Sequence, residues 1–501
     1  MNSETQHLSF TSALLLAVLM LVTGCGKKSP STAPLNGQVL AAIACAQCHT
    51  VPPPSQMSPE EWPHVLNWMG NYLGHPADTD INPAISKCFI PPNPVLTREQ
   101  FDTIRSYYLE QSAAQYHTPP VASQPAVSPL FQPVPLPIEP SVVSMVAFDP
   151  TNQTLIVGLS RPAGLLVLQR GLTTPVEVSS EPVTFERQGN VSRLALMGDL
   201  GTDRRKGQIV DFKMQEGVRE VVVDAHPRIA AHRTADVDGD GKDDLLVCGF
   251  GDYPVGRVGI WWAGANKFAE QVLLEEAGTA WGDVADFDSD GDLDVVLTLA
   301  NNRPRIIAFE NQGNRKFTPR TIVERPVGWG YNRCLIADWN GDGKPDLVET
   351  AGNNLELRGR PIKAHHGVRV LQNDGDWKFR EVLFERLDGA IDVTAADFDG
   401  NGRLDLALTA FYPDWREEIP TTFLLLMQQP DGTVQRLGID NQYWNRWMRI
   451  ATGDADGDGD MDLLLGAAQV PMAIPTEHMA RYEHLLQGKA SLLLLRNLAK
   501  R

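Results

Sequence analysis

Cysteine is scarce. Six cysteines in 501 residues are too few for a disulfide framework in a chain of this size. Aromatic residues make up 7% of the chain against 43% apolar residues in all, so the core must be largely aliphatic, and the length allows two unequal domains. Basic residues are outnumbered, with 44 Lys and Arg against 62 Asp and Glu and a formal charge of −18. That balance argues against a nucleic-acid partner. The longest uninterrupted apolar run, residues 13–22, is too short to span a bilayer comfortably. No Gly-x-Ser-x-Gly elbow and no phosphate-binding loop occurs, which removes the sequence signatures of two large enzyme classes.

What the chain has instead is aspartate in register. Five nine-residue loops carry oxygen side chains at positions one, three, five and nine: Asp236, Asp238, Asp240, Asp244; Asp286, Asp288, Asp290, Asp294; Asp338, Asn340, Asp342, Asp346; Asp397, Asp399, Asn401, Asp405; and Asp454, Asp456, Asp458, Asp462. Carboxylates crowded so closely call for a hard cation, and oxygen-only ligands suit Ca²⁺, up to five ions, better than Zn²⁺ or Mg²⁺. Glycine at position four or six supplies the positive φ that curls such a loop. Four of the five loops have no Glu at position twelve, and the flanks Leu-Leu-Val, Val-Val-Leu and Leu-Ala-Leu read as strands, which argues against a helix-loop-helix calcium site. Of the 62 acids, 21 lie in these loops. Five bound Ca²⁺ would bring the charge to about −8, making the acidity largely a metal inventory.

The loops begin at residues 236, 286, 338, 397 and 454, a period of roughly fifty residues that signals propeller blades. In each unit an apolar strand, the loop and three further strands follow one another, as in the unit from His232 with strands at 245–249, 256–262 and 268–274. Two units without a ligand set precede them, at 142–158 and 182–198, making seven. The last unit runs out of chain after three strands, and the extended segment 131–138 is the candidate for its fourth, which would close the ring and remove its open edge. These loops and flanks resemble the FG-GAP/VCBS repeats of integrin-like β-propellers. The resemblance covers residues 140–501 and implies fold and calcium, with function left open among adhesion, glycan binding and scaffolding.

The N-terminal third differs. The apolar run ends in Val22-Thr23-Gly24-Cys25, which resembles a bacterial lipobox with Cys25 acylated, residues 1–24 removed as an export signal and 25–35 left as a tether, although the leader Met1–His7 has no Lys or Arg. Residues 36–118 contain Cys45-Ala-Gln-Cys48-His49. Two thiols and an adjacent imidazole in this order can attach one haem c covalently, with His49 as the proximal ligand. Around the motif, Gly37–Ala46 is helix-compatible, Ser58 and Glu61 read as a capping box, and Thr97 and Gln100 as another. Trp62, Leu66, Met69 and Leu73 share one helical face, which makes Met69 the candidate distal ligand, with His64, Met57 and His75 as alternatives. This stretch resembles a compact class I cytochrome c domain. Residues 119–140 are rich in proline and read as a semi-rigid linker that includes the candidate closing strand.

The expected fold is therefore an all-β seven-bladed propeller, residues 141–501, with a small N-terminal all-α cytochrome c-like domain. The expected function is electron transfer at the cell envelope, by a periplasmic or outer-membrane lipoprotein that acts as carrier or binding protein rather than catalyst. Its partner would be a redox protein or a surface ligand, including a glycan, with the membrane reached through the lipid anchor. Two alternatives stand beside it: an oxidoreductase whose propeller binds a sugar and whose haem accepts electrons, and an adhesion or polysaccharide-binding lipoprotein. The pair His365-His366 is expected on a surface loop. Cys248 and Cys334 are expected as buried free thiols, and the tryptophans near the loops as core or blade-interface residues unless they ring the propeller mouth as a sugar platform.

Overall fold

The computed structural model describes residues 35–499 except 77–89, 152, 170, 200–203, 214–217, 253–254, 266 and 355–360. The expected export signal, Cys25, most of the tether and Cys88 lie outside the described residues. Among the described residues no helix is long and apolar enough to cross a membrane.

Seven antiparallel sheets in simple up-and-down order, six of four strands and the last of three before the additions noted below, form a seven-bladed β-propeller. Their inner strands, at 143–149, 182–188, 229–235, 279–285, 331–337, 390–396 and 447–453, touch one another in sequence around the ring, and the last returns to the first. The cause lies in the period-two pattern of the strands. In the second strand of the third blade, Leu245 and Val247 pack into the core shared with the second blade, while Leu246 and Cys248 pack into the core shared with the fourth. Both faces of a blade are thus covered, so these strands read as continuous apolar runs rather than alternating ones. Each of the seven blade-to-blade contacts has its own apolar cluster. Full burial of one Leu or Val contributes about 1.5–3 kcal/mol.

Strand β1 (Ala126–Val127) adds in parallel to the outer strand of the sixth blade. Strand β2 (Phe131–Leu136) supplies the outermost strand of the seventh, antiparallel to Leu492–Asn497, with Phe131 opposite Asn497 and Leu136 opposite Leu492. Pro133, Pro135 and Pro137 alternate, so every missing amide falls on one side of the strand, the side that an outermost strand leaves unpaired. The proline-rich segment is therefore no free connector. Arg386 Nη1 donates to the Pro120 carbonyl at 2.6 Å, and Gln124 Nε2 to Glu417 Oε2 at 2.6 Å, laying the segment along the propeller rim.

Among the described residues the N-terminal unit contains helices α1 (Gly37–Ala44), α2 (Trp62–Tyr72) and α3 (Arg98–Gln115). Asn36 caps α1, and Thr97 with Gln100 forms a full capping box on α3. The expected box at Ser58 is absent: α2 starts at Trp62 with no side-chain cap, because Pro59 and Pro63 hold residues 59–61 in a turn closed onto the Ser58 carbonyl. Helices α1 and α3 cross at Gly37, where any Cβ would run into Tyr107 and the Thr103 carbonyl. Trp62 and Tyr108 pack in a tilted pair at 4.2 Å in the core, and their polar ends donate to the carbonyls of Pro54 and Pro52, as buried aromatics with polar tips require.

This unit rests on the propeller. Tyr72 Oη donates to Asn302 Oδ1 (3.3 Å), Gln56 Nε2 to the Val327 carbonyl (2.7 Å) and Tyr116 Oη to the Ile362 carbonyl (3.0 Å). These acceptors belong to connections between second and third strands or between blades. The aspartate loops join inner to second strands, so they emerge on the opposite face.

Starting the chain at residue 139 should remove β1 and β2, lower the melting temperature and leave Leu492–Asn497 as an exposed edge. Size-exclusion chromatography over a concentration series should then show association that the full chain lacks.

Candidate metal loops and the cysteine–histidine motif

Every aspartate loop closes in the same way. The amide of position six donates to Oδ2 of position one at 2.8–3.0 Å in all five, and position seven donates to the side chain at position five. Position six is glycine with φ between 82° and 95° throughout, while position four of the second loop is Ser289 at φ 64° where the others have glycine. The tight curl turns the remaining oxygens inward. Ligand atoms of Asp236, Asp238 and Asp244 lie within 4.8 Å of one another, as do those of Asp286, Asp288 and Asp290, of Asp397, Asp399 and Asp405, and of Asp454, Asp456 and Asp462. Asp236 Oδ1 and Asp288 Oδ1 are buried with no hydrogen-bond partner. Inward, unpartnered anionic oxygens fit a hard cation such as Ca²⁺.

Position nine does something the ligand pattern does not announce. Asp244, Asp294, Asp346, Asp405 and Asp462 are all at most 1% exposed. In each, Oδ2 accepts the amide of position two at 2.8–3.1 Å. Oδ1 accepts an amide at the end of the third strand at 2.7–2.8 Å. The carboxylate thus braces loop to sheet. Burial, reinforced by neighbouring loop carboxylates and opposed by the two amides, pushes the carboxyls of Asp294, Asp405 and Asp462 up to about 6. A bound cation would favour their ionised form.

A second group of residues escaped the sequence reading. The residue that donates to Oδ1 is Asn311, Asn373 or Asn497 in the fourth, fifth and seventh blades, and its Nδ2 reaches the position-two carbonyl of the preceding blade's loop (Val237, Phe287, Phe398) at 2.8–3.1 Å. Gln428 makes the corresponding contact from the sixth blade to Trp339 at 3.4 Å. In the third blade the position is Ala263, and the blade before it carries no aspartate loop. The signal available in sequence was faint: Asn-x-Gly at 311–313 and 373–375.

The loops differ in electrostatics. In the first, Arg315 reaches Asp238 Oδ2 at 2.5 Å and Lys242 reaches Asp240 Oδ2 at 2.6 Å, so protein cations already neutralise part of the site. The loops at 286–294 and 454–462 have five acids each and no basic residue of their own.

On the other face, Cys45 and Cys48 close the end of α1 as free thiols. Burial, with Cys48 adding, pushes the Cys45 thiol up to about 11. His49 Nδ1 lies 2.9 Å from the Thr50 carbonyl; with Nδ1 donating, Nε2 carries the lone pair. Thr50 is itself held by the propeller, its amide and hydroxyl both donating to Glu324 Oε1 at 3.1 Å.

The distal candidates are dispersed. The buried face of α2 is Trp62, Leu66, Gly70 and Asn71, and Met69 is half-buried outside the core cluster, so the shared apolar face expected for it is corrected. Met57 is fully buried in that core as packing. His75 Nε2 lies 2.8 Å from the Leu96 carbonyl with its ring stacked on Phe101, and His64 is half-buried on α2.

The expected surface loop at His365-His366 is also corrected. His366 is 1% exposed, His365 stacks on Trp329 at 4.0 Å, and burial among Lys363 and Arg369 holds both imidazoles well below their usual range. Cys248 and Cys334 are buried free thiols. Trp262, Trp339 and Trp447 are buried in blade-to-blade cores, and Trp444 under the insertion that carries helix α4 (Met479–Leu486). Charged side chains join the inner strands across blades: Arg233 pairs with Asp283 at 2.8 Å and Glu186 at 3.2 Å, and Arg333 with Asp392 at 2.8 Å. His232, fully buried, meets Thr184 Oγ1 at 2.5 Å.

Residues 236–297 and 286–349 match the FG-GAP-like repeat. No curated protein matches the chain. Among solved structures it is similar to BBS1N in a complex with ARL6DN, at 11% identity over 75% of this chain and 98% of that one with a TM-score of 0.46. It is similar also to Sqt1 of Saccharomyces cerevisiae, at 10% identity over 69% and 83% with a TM-score of 0.42, and to the N-terminal domain of Nup159, at 10% over 74% and 96% with a TM-score of 0.41. At these identities and TM-scores the likenesses attach no function to the chain.

Asp294→Asn should cost about 1–3 kcal/mol of stability even in EGTA, since an amide cannot accept from both backbone donors. Asp290→Asn, on the exposed side of the same loop, should be near neutral in EGTA and reduce only the calcium-dependent gain in melting temperature. Calcium titration by calorimetry should find its tightest sites lost on neutralising Asp286 or Asp454. Burial lowers His226 and His232 to about 4, so the unfolded chain binds more protons between about pH 6.5 and 4. Stability should therefore fall with pH across that window, by up to about 1.4 kcal/mol per unit for each histidine. In saturating calcium, His232→Gln should flatten that slope in denaturant titrations.

Proposed function

We propose that this chain is an exported, envelope-anchored monohaem c-type cytochrome that carries electrons, with the calcium-stabilised propeller as the platform for a redox partner or surface ligand. The observation that carries this reading is the state of the Cys45-Cys48-His49 motif. Two unpaired thiols stand at the end of a helix beside an imidazole, and that imidazole offers Nδ1 to a backbone carbonyl, leaving Nε2 for a metal. Histidines that ligate metals are held in this way, since the donated N–H fixes tautomer and ring orientation. A haem attached there would supply a one-electron centre. The chain's own part is to hold His49 through Thr50, to cover one side of the motif with the core around Met57, Trp62 and Tyr108, and to fix the unit on the propeller. The FG-GAP-like repeats and the aspartate loops support the scaffold role. The apolar run before Cys25 supports export and lipid anchoring.

The chain should be produced in a host that attaches haem c and its spectra recorded oxidised and reduced. Wild type is expected to show a covalent haem c spectrum that survives denaturation, and the Cys45→Ala, Cys48→Ala double variant to lose it. Wild type without covalent haem would sink the cytochrome reading. Met69→Ala should turn a low-spin six-coordinate spectrum high-spin if Met69 is the distal ligand; an unchanged spectrum removes that assignment alone.

A further inference from the structure

The contact between the helical unit and the propeller is aimed at the residue next to His49. Glu324, at the end of the outer strand of the fourth blade, accepts from both the amide and the hydroxyl of Thr50. The carbonyl of the same Thr50 faces His49 Nδ1. On its other side the Glu324 carboxylate is held by Arg303, at 2.7 Å from Nη2 and 2.9 Å from Nε. Its side chain is only 20% exposed, so the charge is partly withdrawn from water and acts further than a surface carboxylate would. Arg303 and the bonds from Thr50 hold the carboxyl below the usual range, and its charge reaches His49.

We propose that Glu324 is a positioning residue for His49, through which the propeller sets the reduction potential of the N-terminal unit; this rests on the haem reading given above. Two effects operate. Clamping Thr50 at two atoms fixes the carbonyl that orients the imidazole, the role that outer partners of metal-bound histidines play. The carboxylate also favours the oxidised, more positive iron, and Arg303 offsets part of that field. Coupling of this kind is reciprocal, so oxidation also strengthens the grip of Glu324 on Thr50.

The test uses the full chain bearing haem, titrated by spectroelectrochemistry. Glu324→Gln should raise the midpoint potential and Arg303→Gln should lower it, with the calcium-dependent melting of the propeller unchanged in both. Opposite signs are the diagnostic, because loosened docking alone would move the two variants the same way. Glu324→Asp should restore part of the shift. Amide exchange at Thr50 should be slower in the oxidised protein than in the reduced one, and that difference should vanish in Glu324→Gln. Shifts of equal sign, or no shift in either variant, would overturn the proposal. Absence of covalent haem from wild type, seen in the spectrum before any potential is measured, would overturn the cytochrome reading and this inference with it.

Discussion

Burying a carboxylate in a β-sheet is costly unless its oxygens are satisfied, and this propeller repeats one solution five times. The position-nine aspartate takes one amide from its own loop and one from the end of the third strand, so a nine-residue excursion is pinned at the point where it re-enters the sheet. The pin sets where the second strand begins and, through the asparagines that reach back to the preceding loop, where the next blade sits. A cation bound in the loop would act on a frame that already holds. It would neutralise the exposed carboxylates and favour the charged form of the buried one, so its stabilisation would pass from loop to blade and from blade to neighbour.

The two faces of the ring are consequently unlike. One carries the aspartate loops. The other carries the connections on which the helical unit lies, together with the insertions that bury His366 under Trp329 and His365. The charged pairs among inner strands, Arg233 with Asp283 and Arg333 with Asp392, join blades within the ring. An electron carrier with this layout would keep its metal ions for stability on one side and its redox chemistry on the other, and the Glu324–Thr50 contact joins the propeller to the residue beside His49.

Much of this was legible in sequence because the repeat is strict. Loops at nearly constant spacing with flanking apolar strands specify blade number, and a last unit short of one strand asks for a partner near Phe131. What could not be read depends on partners distant in the chain. Asn311 and Asn373 look like ordinary turn residues until the preceding blade is in place. Position nine looks like one more ligand until burial reveals its two amides. Ser58 resembles a helix cap, but Pro59 and Pro63 spend the first turn differently. Met69 has the periodicity of a core residue, yet the buried stripe of α2 runs through Leu66 and Gly70, because α3 packs closely enough that Phe101 fills the space above Gly70. His365 and His366 read as loop residues, and only the fold of the insertion over the fifth blade shows them covered.

The strand that completes the last blade comes from near the start of the chain, pairing residue 131 with residue 497. A contact so distant in sequence is slow to form, since the loop it closes is nearly the whole domain. While the chain is being made, the segment that becomes β2 must wait without its partner until the last blade has emerged. Six blades can assemble in order, but the ring stays open until Leu492–Asn497 can pair. A chain halted before Leu492–Asn497 would keep an unpaired edge and the apolar flank of its first blade, an aggregation-prone species of the kind that chaperones and proteases clear. The same late closure ties the helical unit closely to the propeller, since only the ten residues between Gln115 and Ala126 separate α3 from β1.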